Sequence, residues 1–405
     1  MNNYRKNGTT MIRIVCAVLF CTFTFIYVYV YQTDVLAIGQ HILSDGQTHY
    51  SRFIGAFLIT LVLYLLQLGV STIVKLSKST HALTYFPSLL ILAVLTSVDS
   101  KIDQGFSFGS WVWWFPILLI LFALVCRLER ILQLYESSSY NAGIFSQSMW
   151  INVLTMLVFF FCVGFVGNSD TKFHYRLKME RYISEGKYDE ALLVGKKSLV
   201  RDSSITMLRA YALSRQGKLP DALFQYTTCG GSASLLPNGN NVKGLLFDTH
   251  EIYGYLGKMV VTRPITPMNY LHTIIKHHLD KRPAADYLLC GYLLDKDLNS
   301  FSANIAKYYN LEEELPRHYS EAIIMYNHLH RNNPIKYENH VIEADYQDYL
   351  KLMRQIPNNK EMENKLRDVY GNTYWYYYKL GYLLIIKHTI FGFLSMNFYL
   401  AANAI

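Results

Sequence analysis

Hydrophobic residues are distributed unevenly along this chain. Up to about residue 168 they form long runs, and beyond it they recur at helical spacing among charged residues. The last run before the change, 150–167, is uncharged and eighteen residues long. Such a run predicts a helix that crosses a membrane, whereas the later pattern predicts water-soluble helices. We therefore expect an all-α protein with a membrane domain at 1–168 and a soluble helical domain at 169–405.

Five apolar segments precede residue 168, and we expect each to be a transmembrane helix. They are 11–31, 53–74, 83–98, 111–126 and 150–167. A span needs about 20 residues, so the third and fourth must extend into their flanks or thin the bilayer. The alternative is a re-entrant hairpin for this pair, but Trp111, Trp113 and Trp114 form an interfacial belt that favours full spans.

Basic residues in the short loops predict the orientation. They concentrate in the N-terminus and in the second and fourth loops, as Arg5, Lys6, Lys75, Lys78, Arg127 and Arg130. The first and third loops balance Arg52 and Lys101 with acidic residues. Because basic loops stay in the cytoplasm, we expect a cytoplasmic N-terminus, five crossings of a bacterial cytoplasmic membrane, and a periplasmic C-terminal domain.

The predicted spans hold no ionisable residue near the middle. Gln67 and Asn152 are polar but neutral. Transport pathways and proton relays usually need charged residues at membrane depth. The membrane half is therefore interpreted as an anchor, with membrane lipid as its partner.

Two similar stretches open the soluble half. GKYDEAL begins at Gly186 and GKLPDAL begins at Gly217, 31 residues later. Each glycine is suited to a left-handed helix cap, and Ala191 and Ala222 allow the next helix to pack closely. The pattern predicts helix–turn–helix pairs.

These stretches resemble the tetratricopeptide repeat (TPR) family. The positions that carry the resemblance are Gly186, Tyr188, Ala191, Ala210, Gly217 and Ala222, with a third copy at Tyr319, Ala322, Tyr326 and Pro334. The resemblance implies a TPR-like α-solenoid. The 31-residue period differs from the family's 34, and Gly195 stands where an aromatic is expected, so a different α-solenoid is also compatible.

The rest of the second half contains two segments that interrupt the helices, and an aromatic stretch near its end. Gly-, Asn- and Pro-rich segments at 227–244 and 258–269 interrupt the helices. We expect 380–405 to be an amphipathic or capping helix, with a sixth span as the alternative. Five spans, a TPR-like region and a final TYWYYY stretch at 373–378 resemble a family of uncharacterised bacterial multi-pass membrane proteins, to which no catalytic residues are assigned.

Charge and metal-binding patterns exclude several classes of protein. The net charge of +8 is spread out and forms no basic run, which argues against nucleic acid binding. There is no CxxC or Cys/His zinc spacing, so we expect no metal and no cofactor. The cluster His272, His277 and His278 has the wrong spacing for one helix face and is interpreted as surface histidines. A Cys229–Cys290 disulfide is the alternative to free thiols.

The expected function is a protein-interaction scaffold, since a solenoid binds an extended peptide along its repeats. Contact positions inferred from the repeat register are Lys178, Arg181, Arg209 and Arg215. The alternative is an enzyme, or a subunit of one, that assembles envelope glycan or lipid. Its catalytic group would have to come from the outer loop with Asp34, His41, Asp45 and His49.

Overall fold

A computed structural model describes most of the chain, namely residues 2–44, 46–98, 109–133, 146–238, 242–257, 265–330, 335–355 and 360–379. Over these ranges the regular structure is helical, with a single isolated β-bridge between Gly257 and Asp280. The all-α expectation is confirmed. The chain divides into two compact units, Met1–Leu177 and Lys178–Ile405, whereas the sequence pattern changes at residue 168. The predicted terminal helix, 380–405, lies outside the described residues.

The first unit is a bundle of apolar helices. They are α1 (Asn2–Ile26, followed by a π-helical turn at Tyr27–Tyr31), α2 (Thr33–Leu43), α3 (Arg52–Val74), α4 (Phe86–Thr96, preceded by a 3₁₀ turn at His81–Tyr85), α5 (Trp111–Gln133) and α6 (Gln147–Val166).

Four described helices, not five, are long and apolar enough to cross a membrane. They are Thr10–Tyr31, Arg52–Val74, Trp111–Leu132 and Gln147–Val166. The third predicted span is the shorter apolar helix His81–Thr96. Its residues Ser88, Leu92 and Thr96 are fully buried. This face of the helix is therefore enclosed by its neighbours.

Both ends of this short helix are hydrogen-bonded to the two ends of α6. At one end, the Asn152 side chain accepts from the Ala82 amide at 2.6 Å and donates to the Lys78 carbonyl at 2.8 Å. At the other end, Asn168 donates from its backbone to Thr96 O (2.8 Å) and from its side chain to Val98 O (2.6 Å). The short helix therefore runs parallel to α6 over most of its length.

Further polar contacts also join one helix to another. Gln67 of α3 donates to Thr84 Oγ1 at 3.0 Å. On α5, the Arg130 guanidinium donates to the terminal carbonyls of α3, including Ile73 O at 3.1 Å. Glu129 accepts from the Thr80 hydroxyl at 2.7 Å. These bonds place the C-terminal ends of α3 and α5 at the same end of the bundle.

The opposite end is closed around Tyr27. Gln32 Nε2 donates to the Tyr27 hydroxyl at 3.0 Å and to Asn168 O at 3.2 Å. A Cβ at Gly167 would overlap the Tyr27 hydroxyl, which explains a glycine at the end of α6. The helix α2, which the sequence analysis treated as a loop, buries Val35 and Ile38 completely.

The second unit consists of shorter helices. They are α7 (Thr171–Ser184, which crosses the unit boundary), α8 (Tyr188–Leu193), α9 (Ser203–Arg215), α10 (Leu219–Ala222), α11 (His250–Leu256), α12 (Pro267–Lys276), α13 (Pro283–Leu294), α14 (Leu298–Ile305), α15 (Arg317–Leu329), α16 (His340–Gln355) and α17 (Lys360–Tyr370).

Four of these helices end in the same hydrogen-bonded cap. Gly186, Gly217, His278 and Lys296 have φ of +71°, +69°, +55° and +61° and end α7, α9, α12 and α13. In each, the left-handed residue and the next one donate amides back into the last helical turn, as in the Schellman motif. Gly186 and Gly217 were predicted to end helices in this way. The other two were not, because a histidine and a lysine stand in the glycine position.

Neighbouring helices along the chain pack together in this unit. Contacts join α8 to α9, α9 to α10, and each successive pair from α12 to α17. Helix α10 also packs against α13 and α15, across the intervening segment. In the third repeat copy, the turns and extended chain of 306–316 separate α14 from α15, and Pro334 lies outside the described residues.

The TYWYYY stretch is part of the core of this unit. Trp375 is 2% exposed, and its indole donates to Glu321 O at 2.8 Å. The Tyr374 amide donates to Glu321 Oε2 at 2.7 Å, and the Tyr374 ring lies edge-on to Phe224. Tyr377 donates to Leu294 O at 2.7 Å. The stretch thus joins α13, α15 and the 3₁₀ turn Leu223–Gln225 that follows α10.

Candidate partner-binding site

Arg215, one of the four predicted contact residues, lies at the exposed end of a buried helix. Asp202 caps α9 by accepting from the Ile205 amide at 2.9 Å, and the residues of α9 before Arg215 are almost all buried. Tyr211 lies one turn before Arg215, so both side chains are on one face. Arg215 Nη1 donates to the Tyr211 hydroxyl at 2.9 Å.

Three tyrosine rings from three helices surround this guanidinium. Its carbon lies 5.2 Å from the ring centroid of Tyr188 (α8), 5.7 Å from that of Tyr211 (α9) and 5.3 Å from that of Tyr255 (α11). Tyr211 meets both other rings edge-on. The Tyr255 hydroxyl donates to Ser214 O at 3.0 Å. The rings are therefore fixed by contacts of their own, and they hold the guanidinium in place.

This arrangement is suited to an anionic ligand. A guanidinium stacked on aromatic rings keeps its N–H edge available for hydrogen bonds. Within the described part of the chain, Arg215 uses one hydrogen bond, to Tyr211. Its planar set of donors matches a carboxylate, and less side-chain entropy is lost on binding because the rings already order it. We refer to Tyr188, Tyr211, Arg215 and Tyr255 as the Arg215 cluster.

Arg209 occupies a different environment from the one expected of a contact residue. It is 3% exposed. Its guanidinium donates to Thr227 O at 3.1 Å and Gly195 O at 3.2 Å, and lies 5.2 Å from the Tyr226 ring centroid. A side chain held in this way ties two loops to α9 and is not available to a partner. The sequence carries a signal of this, since residues 204–214 of α9 are mostly apolar or small.

The other two predicted contacts are on α7. Lys178 is exposed, and the half-buried Arg181 lies 5.2 Å from the Tyr182 ring centroid. The participation of Tyr255 in the Arg215 cluster was missed, because α11 lies in a segment that has no repeat pattern.

The predicted repeat positions are mostly buried at helix contacts. Ala191, Ala210 and Ala322 are completely buried, and Tyr326 is 8% exposed. Ala222 is half-buried. Small residues at the first three positions leave room for close packing.

His318 and Glu321 resemble an acid–base pair but have no free position for a substrate. His318 Nδ1 lies 2.9 Å from Glu321 Oε2. The Phe224 amide donates to His318 Nε2 at 3.3 Å, so Nε2 accepts and Nδ1 carries the proton. Both side chains are buried, and Arg317 pairs with the other carboxylate oxygen at 2.9 Å. This network stabilises the fold around the TYWYYY stretch.

A second polar cluster lies around Asp286 on α13. Its carboxylate accepts from the hydroxyls of Tyr309 at 2.6 Å and Tyr319 at 3.2 Å. Burial raises the pKa of Asp286 above its ordinary value, against the lowering effect of these two hydroxyls. Burial raises the pKa of the neighbouring Cys290 thiol as well, which makes it unreactive.

The metal-binding and enzymatic alternatives gain no support in the described residues. There, no three His, Cys, Asp or Glu side chains could share a metal ion. His272 is exposed and lies 3.2 Å from the Tyr292 hydroxyl. Asp34 and His41 are on α2, and Asp45 lies outside the described residues. Cys229 and Cys290 are free thiols, so the alternative disulfide is absent between them.

These observations define a class: an all-helical protein with several membrane-length apolar helices and a second unit of short packed helices. A family model matches residues 97–266 and 265–381. The chain therefore belongs to the family of unknown function DUF6057. No curated protein and no solved structure matches the chain.

Proposed function

We propose that this protein is a membrane-anchored interaction scaffold. Its first unit crosses the bacterial cytoplasmic membrane, and its second, TPR-like unit binds a protein or peptide on the outer side. The binding position is the Arg215 cluster, and the partner presents a carboxylate to it.

The anchoring rests on large apolar side chains that the described helices leave exposed. Ile73, Trp113, Phe161 and Phe165 are each at least 74% exposed. They lie on three different membrane-length helices. An exposed apolar surface of this extent is unfavourable in water and is satisfied by lipid.

The hydrogen bonds at the ends of the bundle support five crossings. The short helix His81–Thr96 is bound at Asn152 and at Asn168, near opposite ends of α6. With α3 and α5 ending together at Arg130, the chain passes along the bundle five times. Lys75 and Arg130 then share one end with each other, and the basic-loop rule makes that end cytoplasmic. This supports an outer location for the second unit.

The repeated caps support a TPR-like solenoid. The same Schellman geometry recurs at Gly186, Gly217, His278 and Lys296, and sequential helices pack on each other. Repeats of this kind build extended binding surfaces from contacts between neighbours. The Arg215 cluster lies where α8 meets the end of α9.

The test is site-specific photocrosslinking in cells with a probe at Lys218, an exposed residue next to the cluster. We expect one discrete protein adduct. Arg215→Glu should reduce its yield about tenfold or more, because reversing a paired interface charge removes an attraction and adds a repulsion. Arg215→Lys keeps the charge but loses the planar fork and should give an intermediate yield.

Lys197→Glu is the matched control, since it makes the same charge reversal at another exposed position of this unit. It should leave the adduct unchanged. Equal yields for Arg215→Glu and the unsubstituted protein would contradict binding at the cluster, and the absence of any protein adduct would contradict the scaffold itself.

A further inference from the structure

An apolar groove runs between α1 and α3 on the surface of the bundle. It has a volume of about 560 Å³, within the range of about 300–1,000 Å³ usual for ligand sites. Its walls include Cys21, Phe25 and Ile26 from α1 and Phe57, Leu61 and Tyr64 from α3. Ile26, Phe57 and Leu61 are each more than 40% exposed, so the groove is open along its side.

A positively charged side chain, Arg52, is held in place near one end of this groove. Arg52, the first residue of α3, donates from Nε to Tyr29 O at 2.6 Å, and its guanidinium carbon lies 4.3 Å from the Tyr29 ring centroid. Tyr29 is in the π-helical turn, where the irregular backbone leaves its carbonyl available to side-chain donors. Among the described residues, the two Nη groups of Arg52 have no protein acceptor.

The distances along α3 from Arg52 to the groove residues match the thickness of one leaflet of a bilayer. Phe57 and Tyr64 follow Arg52 on α3 by five and twelve residues, or about 8 and 18 Å at 1.5 Å per residue. Half of a hydrocarbon core is about 15 Å thick. With Arg52 at the headgroup level, the groove lies at the depth of the acyl chains of that leaflet.

We propose that this groove is a binding site for one phospholipid. The lipid phosphate accepts hydrogen bonds from the Nη groups of Arg52, and an acyl chain lies against Phe25, Phe57 and Leu61. The charge and the apolar groove are complementary to these two parts of one molecule, whereas a peptide or a second helix would leave Arg52 without an anion at this depth. The site rests on the membrane anchoring proposed above and is independent of the Arg215 cluster.

The test is native mass spectrometry of the full chain released from nanodiscs of phosphatidylglycerol. We expect one retained lipid per chain. Arg52→Gln removes the charge, and Leu61→Trp fills the groove. Each should reduce the retained fraction about tenfold, as expected for loss of a charge-assisted hydrogen-bond pair or of the space for a chain.

Two control variants make the same changes on α5, away from the groove. Arg127→Gln removes an exposed arginine, and Leu124→Trp enlarges an exposed leucine. Both should retain the lipid. If all four variants behave alike, the retained lipid is merely part of the surrounding bilayer and the proposal is wrong.

The phosphate contact is tested separately with diacylglycerol added to the nanodiscs. We expect no retained diacylglycerol, and equal retention of the two lipids would contradict a role for Arg52. Membrane fractionation of the same variants separates this proposal from the anchoring: a variant that leaves the membrane fraction questions the anchor, and a membrane-bound variant without lipid supports the site.

Discussion

At the scale of single residues, the amino acid at the left-handed position decides which helix caps can be recognised in the sequence. Gly186 and Gly217 could be predicted because glycine adopts positive φ without strain. His278 and Lys296 adopt the same conformation, but their identities do not indicate it. Asn and Gly are the usual residues at this position, so a pattern search finds two of the four caps.

Substitutions at the left-handed caps should change the free energy of unfolding in opposite directions at glycine and non-glycine positions. Gly217→Ala should lower the free energy of unfolding by about 1 kcal/mol, because a Cβ strains the αL conformation. No atom lies within 4 Å of the Cβ position, so the strain comes from the backbone alone. His278→Gly should be neutral or stabilising. Thermal unfolding of the full chain in detergent measures both.

Gly254→Ala is the control for these variants. Gly254 lies within α11 at a position with open space for a Cβ, so alanine should stabilise by about 0.5–1 kcal/mol. A destabilisation at Gly254 equal to that at Gly217 would contradict the assignment of the effect to φ.

Asp286 gives a pH-dependent expectation. Burial raises its pKa in the folded protein, so the folded state binds the proton more tightly than the unfolded state. A raised carboxylate pKa penalises folding above that pKa, and the penalty disappears as the pH falls to the unfolded value of about 3.9. Asp286→Asn keeps an acceptor for Tyr309 and Tyr319 and should therefore raise the melting temperature at pH 7, with a smaller gain towards pH 4.

Asp286→Ala separates the charge from the hydrogen bonds. It removes the acceptor of both tyrosine hydroxyls and should destabilise at every pH, by about 1–3 kcal/mol for groups left without a partner. If Asp286→Asn destabilises most at pH 7, the carboxylate is a net stabilising charge and this account of its pKa is wrong.

At the scale of elements, apolar length predicted four of the helices and misjudged one. Runs of about 20 residues at 53–74 and 150–167 became membrane-length helices. The run at 83–98 became a shorter helix in which Ser88, Leu92 and Thr96 are enclosed by protein. Helix α2 was missed because its apolar face is only a few residues wide. Enclosure depends on neighbours that are distant in sequence, so composition alone does not reveal it.

The TYWYYY stretch illustrates the same limit in the second unit. Its sequence does not indicate which residues these aromatic side chains pack against. The structure adds the reason for their position. The Trp375 indole donates to the backbone carbonyl of Glu321, and the Tyr374 amide donates to the Glu321 carboxylate. A carboxylate on α15 and a tryptophan about fifty residues later show no pattern that would connect them.

Truncation of Trp375 should therefore be severe. Trp375→Ala removes a fully packed ring and its indole hydrogen bond to Glu321 O, and it should cost about 3–5 kcal/mol. Tyr376→Ala, at a half-buried neighbour, should cost clearly less. Denaturant unfolding of the second unit within the full chain, followed by circular dichroism, measures the difference. Equal costs would contradict the central position of Trp375.

At the scale of the whole molecule, the protein combines a unit that holds four membrane-length helices with a second unit of short packed helices. The sequence predicted the all-α class and the change from apolar to mixed composition. It also placed Arg215 among the contact positions, but the three rings around Arg215 come from three helices, and only the fold brings them together. The burial of Arg209 could not be derived from repeat register, since the same register places Arg215 at the surface.

The sidedness of the two ends is the most direct test of this account. Cysteine replaces Lys218 in one variant and Asn3 in another, both in a Cys229→Ser background, and intact spheroplasts are treated with a membrane-impermeant maleimide. We predict labelling at position 218 without permeabilisation and at position 3 only after it, because five crossings separate the two. Labelling of both positions in intact spheroplasts, or of neither, would mean an even number of crossings and would contradict the account. Labelling of position 3 alone would mean that the orientation is inverted.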